Sequence, residues 1–386
     1  MTALKLVASD GTLFDFKPVH EPLSAPPRDR FKSRVAFAAA HVVVDPLRTE
    51  QPLVHSAIDW EATIAYREYL WSLGFGVAEA MDTAQRGAGL DWPNALELIR
   101  RSTAAAQGQN RLLACGAGTD QLCPGHAQTL QHVIDAYSAQ CEAIEAAGGR
   151  IILMASRALA SVARHVDDYA TVYAAILGQV RHPVILHWLG PMFDPALAGY
   201  WGTPDIAAAQ ENCLALIHTH QKKIDGIKVS LLDADFEIEM RRKLPLGVRM
   251  YTGDDFNYDR LILGDHRGYS DALLGIFDAI APAASLALAA LDADAQANFE
   301  SLLAPTVPLA RHLFATPTQH YKTGIIFLAF LNGFQSHCRM VGGLENARSI
   351  PHLCRLLVLA DEARILRDPE LAVARMKSFL SIAGVS

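Results

Sequence analysis

From Arg34 to about Ala290, short apolar runs alternate with helical stripes about eight times. The runs are Val35 to Val44, F-G-V-A-E-A-M-D from Phe75, Leu112 to Cys115, Ile151 to Met154, Pro183 to His187, the stretch from Ile224, Val248 to Thr252, and a last one within Tyr269 to Ile280. The helical stretches between them are Asp59 to Leu73, Pro93 to Ala106, His126 to Ala147, Tyr169 to Leu177, Ile206 to His220 and Phe236 to Arg242. Asp59 is placed to cap the first of these, Pro93 suits a first turn, and G-G after Ala147 is a usual helix stop. Strands joined through helices must run parallel, because a parallel pair needs a crossover. Eight such units predict a closed (β/α)₈ TIM barrel rather than an open sheet.

The flanks read differently. Leu4 to Val7, a D-G turn and Thr12 to Phe16 predict a hairpin, followed by a proline-rich arm. Residues 291–386 carry helical stripes such as Leu353, Leu356, Leu357 and Leu359. The expected division is an N-terminal hairpin and arm over 1–33, the barrel over 34–290, and a C-terminal helical region over 291–386. With 51% hydrophobic residues, the chain has material for a large core. A net charge of -7 argues against a nucleic-acid surface. No apolar run suits a signal peptide or a membrane span; Gly324 to Leu331 is too short. Six cysteines without a C-x-x-C pair (Cys115, Cys123, Cys141, Cys213, Cys338, Cys354) read as reduced thiols in a cytoplasmic protein. Apolar tail stripes suggest a homo-oligomer.

One strand contains a cation. In I-D-G-I-K-V-S-L-L-D, Ile224 to Asp233, β-branched residues surround Lys228. A buried ammonium is costly, so it must be paired or lose its charge. Lowering a lysine pKa by roughly three units costs about 4 kcal/mol of differential solvation and yields an amine that can attack a carbonyl. The plain alternative is an ion pair with Asp225 or Asp233.

The motifs, in order, resemble the dihydrodipicolinate synthase / N-acetylneuraminate lyase superfamily of class I aldolase barrels. I-D-G-I-K-V resembles that family's sixth barrel strand, whose lysine forms a Schiff base with an oxo-acid. Y-T-G-D-D, Tyr251 to Asp255, resembles its seventh-strand G-D-D, and V-I-L-H-W-L-G-P, Val184 to Pro191, its fifth-strand V-I-L-Y-N-x-P. Asp45-Pro46 with Asp59 to Gly74 resembles its first βα unit, and P-T-Q-H-Y-K-T-G its C-terminal helices. The resemblance implies a Schiff base on Lys228. Three departures stand beside it. The family's hydroxyl-bearing G-T-T-G-E loop, which grips a carboxylate, is G-V-A-E-A-M-D here. The proton-shuttling tyrosine after the fourth strand falls in M-A-S-R-A, and the fifth-strand tyrosine is His187.

Barrel chemistry sits at the carboxyl ends of the strands. The polar residues expected there are His41, Glu79, Asp82, Asp120, Ser156, Arg157, His187, Lys228 and Asp254. Lys228 is the expected nucleophile and His187 the expected proton shuttle, because its ordinary pKa is near neutral. Arg157 is expected to hold a water or a substrate anion, or to pair with Glu79 or Asp82. Glu79, Asp82, Ser156, Asp254 and His41 are expected to bind substrate; His41 also reads as a core histidine, and Asp120 and Asp254 as turn or cap residues.

The leading expectation is a lyase of the aldolase type acting on a small carbonyl compound, such as a keto-sugar, sugar acid or oxo-acid, without a cofactor. The second is a divalent-metal-dependent barrel lyase or isomerase with Glu79, Asp82 and His187 as ligands. The third is a non-catalytic sensor of small molecules. No nucleic-acid or membrane partner is expected.

Overall fold

The computed structural model describes residues 4–122, 125 and 129–385. Strands β1 (Leu4–Val7) and β2 (Leu13–Phe16) form the antiparallel hairpin. Eight parallel strands then close a barrel: β3 (Ala36–Ala39), β4 (Gly76–Glu79), β5 (Leu113–Ala117), β6 (Arg150–Leu153), β7 (Val184–Leu189), β8 (Ile224–Ser230), β9 (Arg249–Thr252) and β10 (Asp271–Leu274). The ring closes where β10 pairs with β3, Ala272 opposite Ala36. Helices α1 (Trp60–Ser72), α2 (Trp92–Ala106), α3 (Leu130–Ala146), α4 (Arg157–Val162), α5 (Val166–Gln179), α6 (Ile206–His220), α7 (Ala234–Lys243) and α8 (Tyr258–Leu263) return the chain between strands. After β10 come α9 (Ile276–Ala279), α10 (Ala281–Asp292), α11 (Gln296–Leu303), α12 (Thr306–Leu313), α13 (Tyr321–Leu331), α14 (Ile350–Glu362) and α15 (Pro369–Ile382).

The caps explain several helix starts. Asp59 accepts the Ala62 N–H at 3.0 Å, and Asp91 accepts that of Asn94 at 3.0 Å with Pro93 in the first turn. The opening strand is shorter than its apolar run: β3 stops at Ala39, and 40–43 continue as buried coil before a bridge at Val44. Helix α4 follows β6 at once, where no helix was expected. The expected start of a helix at His126 and the thiol of Cys123 lie outside the described residues.

Side chains alternate across each strand. Phe37, Ala39, Ala78, Ala114, Ile152, Met154, Ile185, Tyr251 and Leu273 pack together inside the barrel. Val77, Cys115, Leu153, Leu186, Trp188, Ile227 and Val229 face the helices. The hairpin is not an isolated flap. Leu4, Leu6 and Phe16 share one buried cluster with Tyr66 and Leu70 of α1 and Leu353, Leu356 and Leu357 of α14. Among the described residues, no helix is long and apolar enough to cross a membrane.

On β8 the alternation sends Gly226, Lys228 and Ser230 inward. Gly226 is compelled by its neighbour: a Cβ there would lie 2.6 Å from the Tyr251 ring and 2.7 Å from the Arg249 carbonyl. Gly226→Ala overfills the lumen beneath Lys228 and is expected to cost about 1–3 kcal/mol. Chemical denaturation measures it; a midpoint equal to that of the parent chain contradicts this packing.

Candidate active site

Strand register assembles the centre. His187 on β7 lies opposite Lys228 on β8, which lies opposite Tyr251 on β9. Two residues beyond Tyr251, Gly253 leaves the lysine its space. A Cβ there would stand 2.7 Å from Lys228 Cε and 2.2 Å from Ser230 Oγ. The glycine of Y-T-G-D-D is therefore a steric requirement of the lysine.

Lys228 is buried, and among the described residues no hydrogen bond or ion pair holds its amine. The two carboxylates expected as partners are occupied elsewhere. Asp225 accepts from Arg249 at 2.8 Å and from the Tyr251 hydroxyl at 2.7 Å, and Asp233 caps α7 through the Phe236 N–H at 3.0 Å. Burial pushes the Lys228 pKa below its ordinary value, and the charges of Asp82 and Asp255 pull it only part of the way back.

Asp82 enters from the loop after β4. Ala80 begins that loop with φ of 53°, a left-handed turn rarely taken by a residue with a side chain. Burial would raise the Asp82 pKa, but the nearby His187, Lys228 and Lys322 more than reverse this. Asp255 behaves oppositely: burial pushes it up to about 7 although the Ile276 N–H and Lys228 favour its anion.

His187 is buried, with Nε2 3.3 Å from Ser230 Oγ and Nδ1 3.9 Å from Asp82. Burial and the Lys228 charge push its pKa down to about 3, against a weaker pull from Asp82. It is a neutral imidazole at physiological pH, so the shuttle expected from an ordinary histidine pKa does not carry over.

A cavity of about 550 Å³ reaches this group at Asp82 and His187. Met154, Ser156, Thr119, Arg157, Asp194, Tyr321 and Lys322 also line it. Ser156 caps α4 through the Leu159 N–H at 2.9 Å and lies 2.7 Å from the Thr119 hydroxyl. Arg157 pairs with Asp194 at 2.5 Å, not with Glu79 or Asp82, and is largely exposed at the mouth. Asp120 is no simple turn residue. It accepts both arms of Arg86 at 2.8 and 2.6 Å, and Gln140 completes that group.

Three expected substrate ligands stand elsewhere. Glu79 falls on the outward face of β4, one residue out of phase with Ala78. It is fully buried against Arg67 with contacts of 2.9 and 2.8 Å, and accepts a further bond from Ser102. His41 lies outside the lumen, bonded to Asp278 through its backbone N–H at 2.7 Å and its ring at 2.8 Å. Asp254 turns away to accept the N–H groups of Phe256 and Asn257 and the Asn257 side chain. With Glu79 facing outward, the triad Glu79, Asp82 and His187 is not assembled. Among the described residues, no group of three or more His, Cys, Asp or Glu is placed to hold a metal ion.

Sequence reasoning missed Tyr321 and Lys322. They begin α13, and the Tyr321 hydroxyl lies 3.0 Å from that of Thr83. Two polar residues opening the otherwise apolar run G-I-I-F-L-A-F-L were the available signal. Asp255 stood in plain view in G-D-D, but its raised pKa comes from burial, which the motif does not encode.

This architecture is that of the dihydrodipicolinate synthase barrels. The chain is similar to a prophage protein of the dihydrodipicolinic acid synthase family from E. coli, in complex with pyruvate: TM-score 0.63, 12% identity, 92% of this chain and 99% of that one. It is also similar to a chloride-inhibited dihydrodipicolinate synthase from Acinetobacter baumannii complexed with pyruvate: TM-score 0.62, 17% identity, 86% of this chain and 100% of that one. For the synthase from Aquifex aeolicus the values are 0.60, 11%, 91% and 98%. At these identities the likeness is one of fold. By sequence, the chain belongs to the family described as "Protein of unknown function (DUF993)", whose model matches residues 4–385. No curated protein matches it.

The outward placement of Glu79 gives a direct test. Glu79→Ala strands a fully buried guanidinium and is expected to cost about 3–5 kcal/mol of stability. Denaturant titration checks this; a loss below about 1 kcal/mol contradicts a structural role.

Proposed function

We propose that the protein is an aldolase-type lyase that binds a carbonyl substrate as a Schiff base on Lys228. The observation that carries this reading is the uncommitted, buried amine of Lys228 under the charges of Asp82 and Asp255, with Asp82 and its strand neighbour His187 lining a large cavity. Desolvation shifts the balance toward the neutral amine that a nucleophile requires. The likeness in fold to dihydrodipicolinate synthases supports it independently.

In this mechanism the Nζ lone pair attacks the carbonyl carbon, and the carbonyl oxygen takes a proton to give a carbinolamine. Loss of water leaves a protonated imine. For an aldol cleavage, a base takes the proton of the β-hydroxyl and the Cα–Cβ bond breaks, its electron pair held as an enamine; for a dehydration, loss of the α-proton forms the enamine, which expels the β-hydroxyl as water to leave an unsaturated imine. After cleavage the enamine carbon is reprotonated, and on either route attack by water on the imine releases the product and restores the amine. Asp82, ionised, is the counter-charge of the iminium. Asp255, poised near neutrality, suits the proton transfers. Neutral His187 and Ser230 orient bound water or the carbinolamine hydroxyl. The metal-dependent alternative gains no support from this geometry, since Glu79 is committed to Arg67.

Borohydride trapping with a panel of oxo-acids, sugar acids and keto-sugars, read by intact mass, tests the imine. The expected adduct maps to Lys228 and disappears in Lys228→Ala. An adduct elsewhere, or full activity in Lys228→Ala, overturns the reading. With a substrate identified, kcat/KM is expected to fall as pH rises through about 7, because Asp255 then loses the proton it donates to the departing hydroxyl. Asp255→Asn is expected to remove that limb and lower kcat about 100-fold. An unchanged pH profile assigns the proton transfer to another group.

A further inference from the structure

Four of the charged residues lining the cavity form two ion pairs, and Asp82 and Lys322 remain. Arg86 is matched by Asp120 at 2.6 Å, and Arg157 by Asp194 at 2.5 Å. Lys322 is partly buried in the cavity wall and has no ion-pair or hydrogen-bond partner among the described residues; its Nζ lies 5.6 Å from the centre of the Tyr321 ring. Asp82 is near enough to act on it, as it acts on Lys228. Lys322 lines the cavity at the start of α13, whereas Lys228 stands on β8 and is not part of that lining. Asp82 therefore stands between two amines at different places in the site.

Only one of those amines can be neutralised by Asp82. When Lys228 becomes a cationic imine, Asp82 is its counter-ion, and Lys322 is left facing the cavity with only Asp194 nearby, a carboxylate already paired with Arg157. An uncompensated cation in a confined site favours an anionic ligand.

We infer that Lys322 is a specificity residue that binds a negative charge on the substrate remote from the carbonyl held at Lys228. The ligand class is a hydroxylated carbonyl compound ending in a phosphate or carboxylate. Its hydroxyl groups lie along Asp82, Thr119 and Ser156, which offer acceptors and donors on the cavity wall. A 2-oxo-acid carries its charge on the carbon next to the carbonyl, and so would bring it to Lys228 and Asp82 rather than to Lys322. Burial pushes the Lys322 pKa down and Asp82 partly restores it, so an arriving anion also secures the charge that binds it. The assignment of the carbonyl end rests on the Schiff-base reading. The assignment of the anion end does not.

Polyol probes that lack a carbonyl separate the two. Titration calorimetry of Lys228→Ala with sorbitol 6-phosphate, gluconate and sorbitol reads the anion subsite without an imine. One or both anionic probes are expected to bind more tightly than sorbitol. Lys322→Gln in that background is expected to raise their Kd about tenfold to a hundredfold, with Lys322→Arg restoring much of it. Preference for the phosphate or for the carboxylate identifies the terminal group. Equal binding of sorbitol and the anions, no binding of either anion at millimolar concentration, or an unchanged Kd in Lys322→Gln overturns the inference. Failure of borohydride to trap any carbonyl compound on the parent chain, with anion binding intact, removes the imine and leaves the subsite standing.

Discussion

The site depends on keeping an amine inside a protein without an ion pair. Burial of Lys228 works against its charge, and the barrel permits it only because three conditions meet at β8. Alternation turns Lys228 inward while Ile227 and Val229 face the helices. Gly253 leaves the side chain its path. Asp82 and Asp255 supply enough negative potential to lessen the cost without pairing at hydrogen-bond distance. Too much compensation would fix the ammonium; too little would expel it.

The same burial sorts the other ionisable groups. Asp82, close to two lysines, stays an anion, whereas Asp255, deeper and near other carboxylates, is pushed up to about 7. His187 is driven to about 3 and becomes a fixed dipole. Neighbouring groups whose pKa values are pushed apart can share the work of acid, base and counter-ion. The outer wall is different: Arg157 and Asp194 neutralise each other near solvent, and Lys322 brings a cation from the C-terminal helices. The barrel thus supplies Lys228, Asp82 and Asp255, and the appended helices complete the cavity.

The barrel itself was legible because period and order are properties of the sequence. Eight apolar runs joined by helical stripes leave little choice of topology, Asp59 sits at a true helix start, and Pro93 falls in a first turn. Lys228, Asp82, Ser156 and Arg157 could be placed near the strand ends for the same reason. What the sequence hid was phase and long-range contact. Glu79 and Asp82 lie three residues apart, yet one faces Arg67 and the other the cavity, because the strand ends between them in a left-handed turn at Ala80. His41 reads as a site residue until Asp278, distant in the chain, is brought against it. Lys322 belongs to a segment whose apolar character advertises packing. Its position over the barrel mouth follows from tertiary contacts alone.

The central claim is that the Lys228 amine is buried, unpaired and partly compensated. Titration of ¹⁵N-labelled lysine side chains by NMR, with the Lys228 signal assigned by its loss in Lys228→Met, measures this directly. The account predicts that Lys228 titrates below the main group of lysines, and lower still in Asp82→Asn, which removes a charge that raises it. A Lys228 signal titrating with the surface lysines, near the ordinary value of about 10.4, would contradict it.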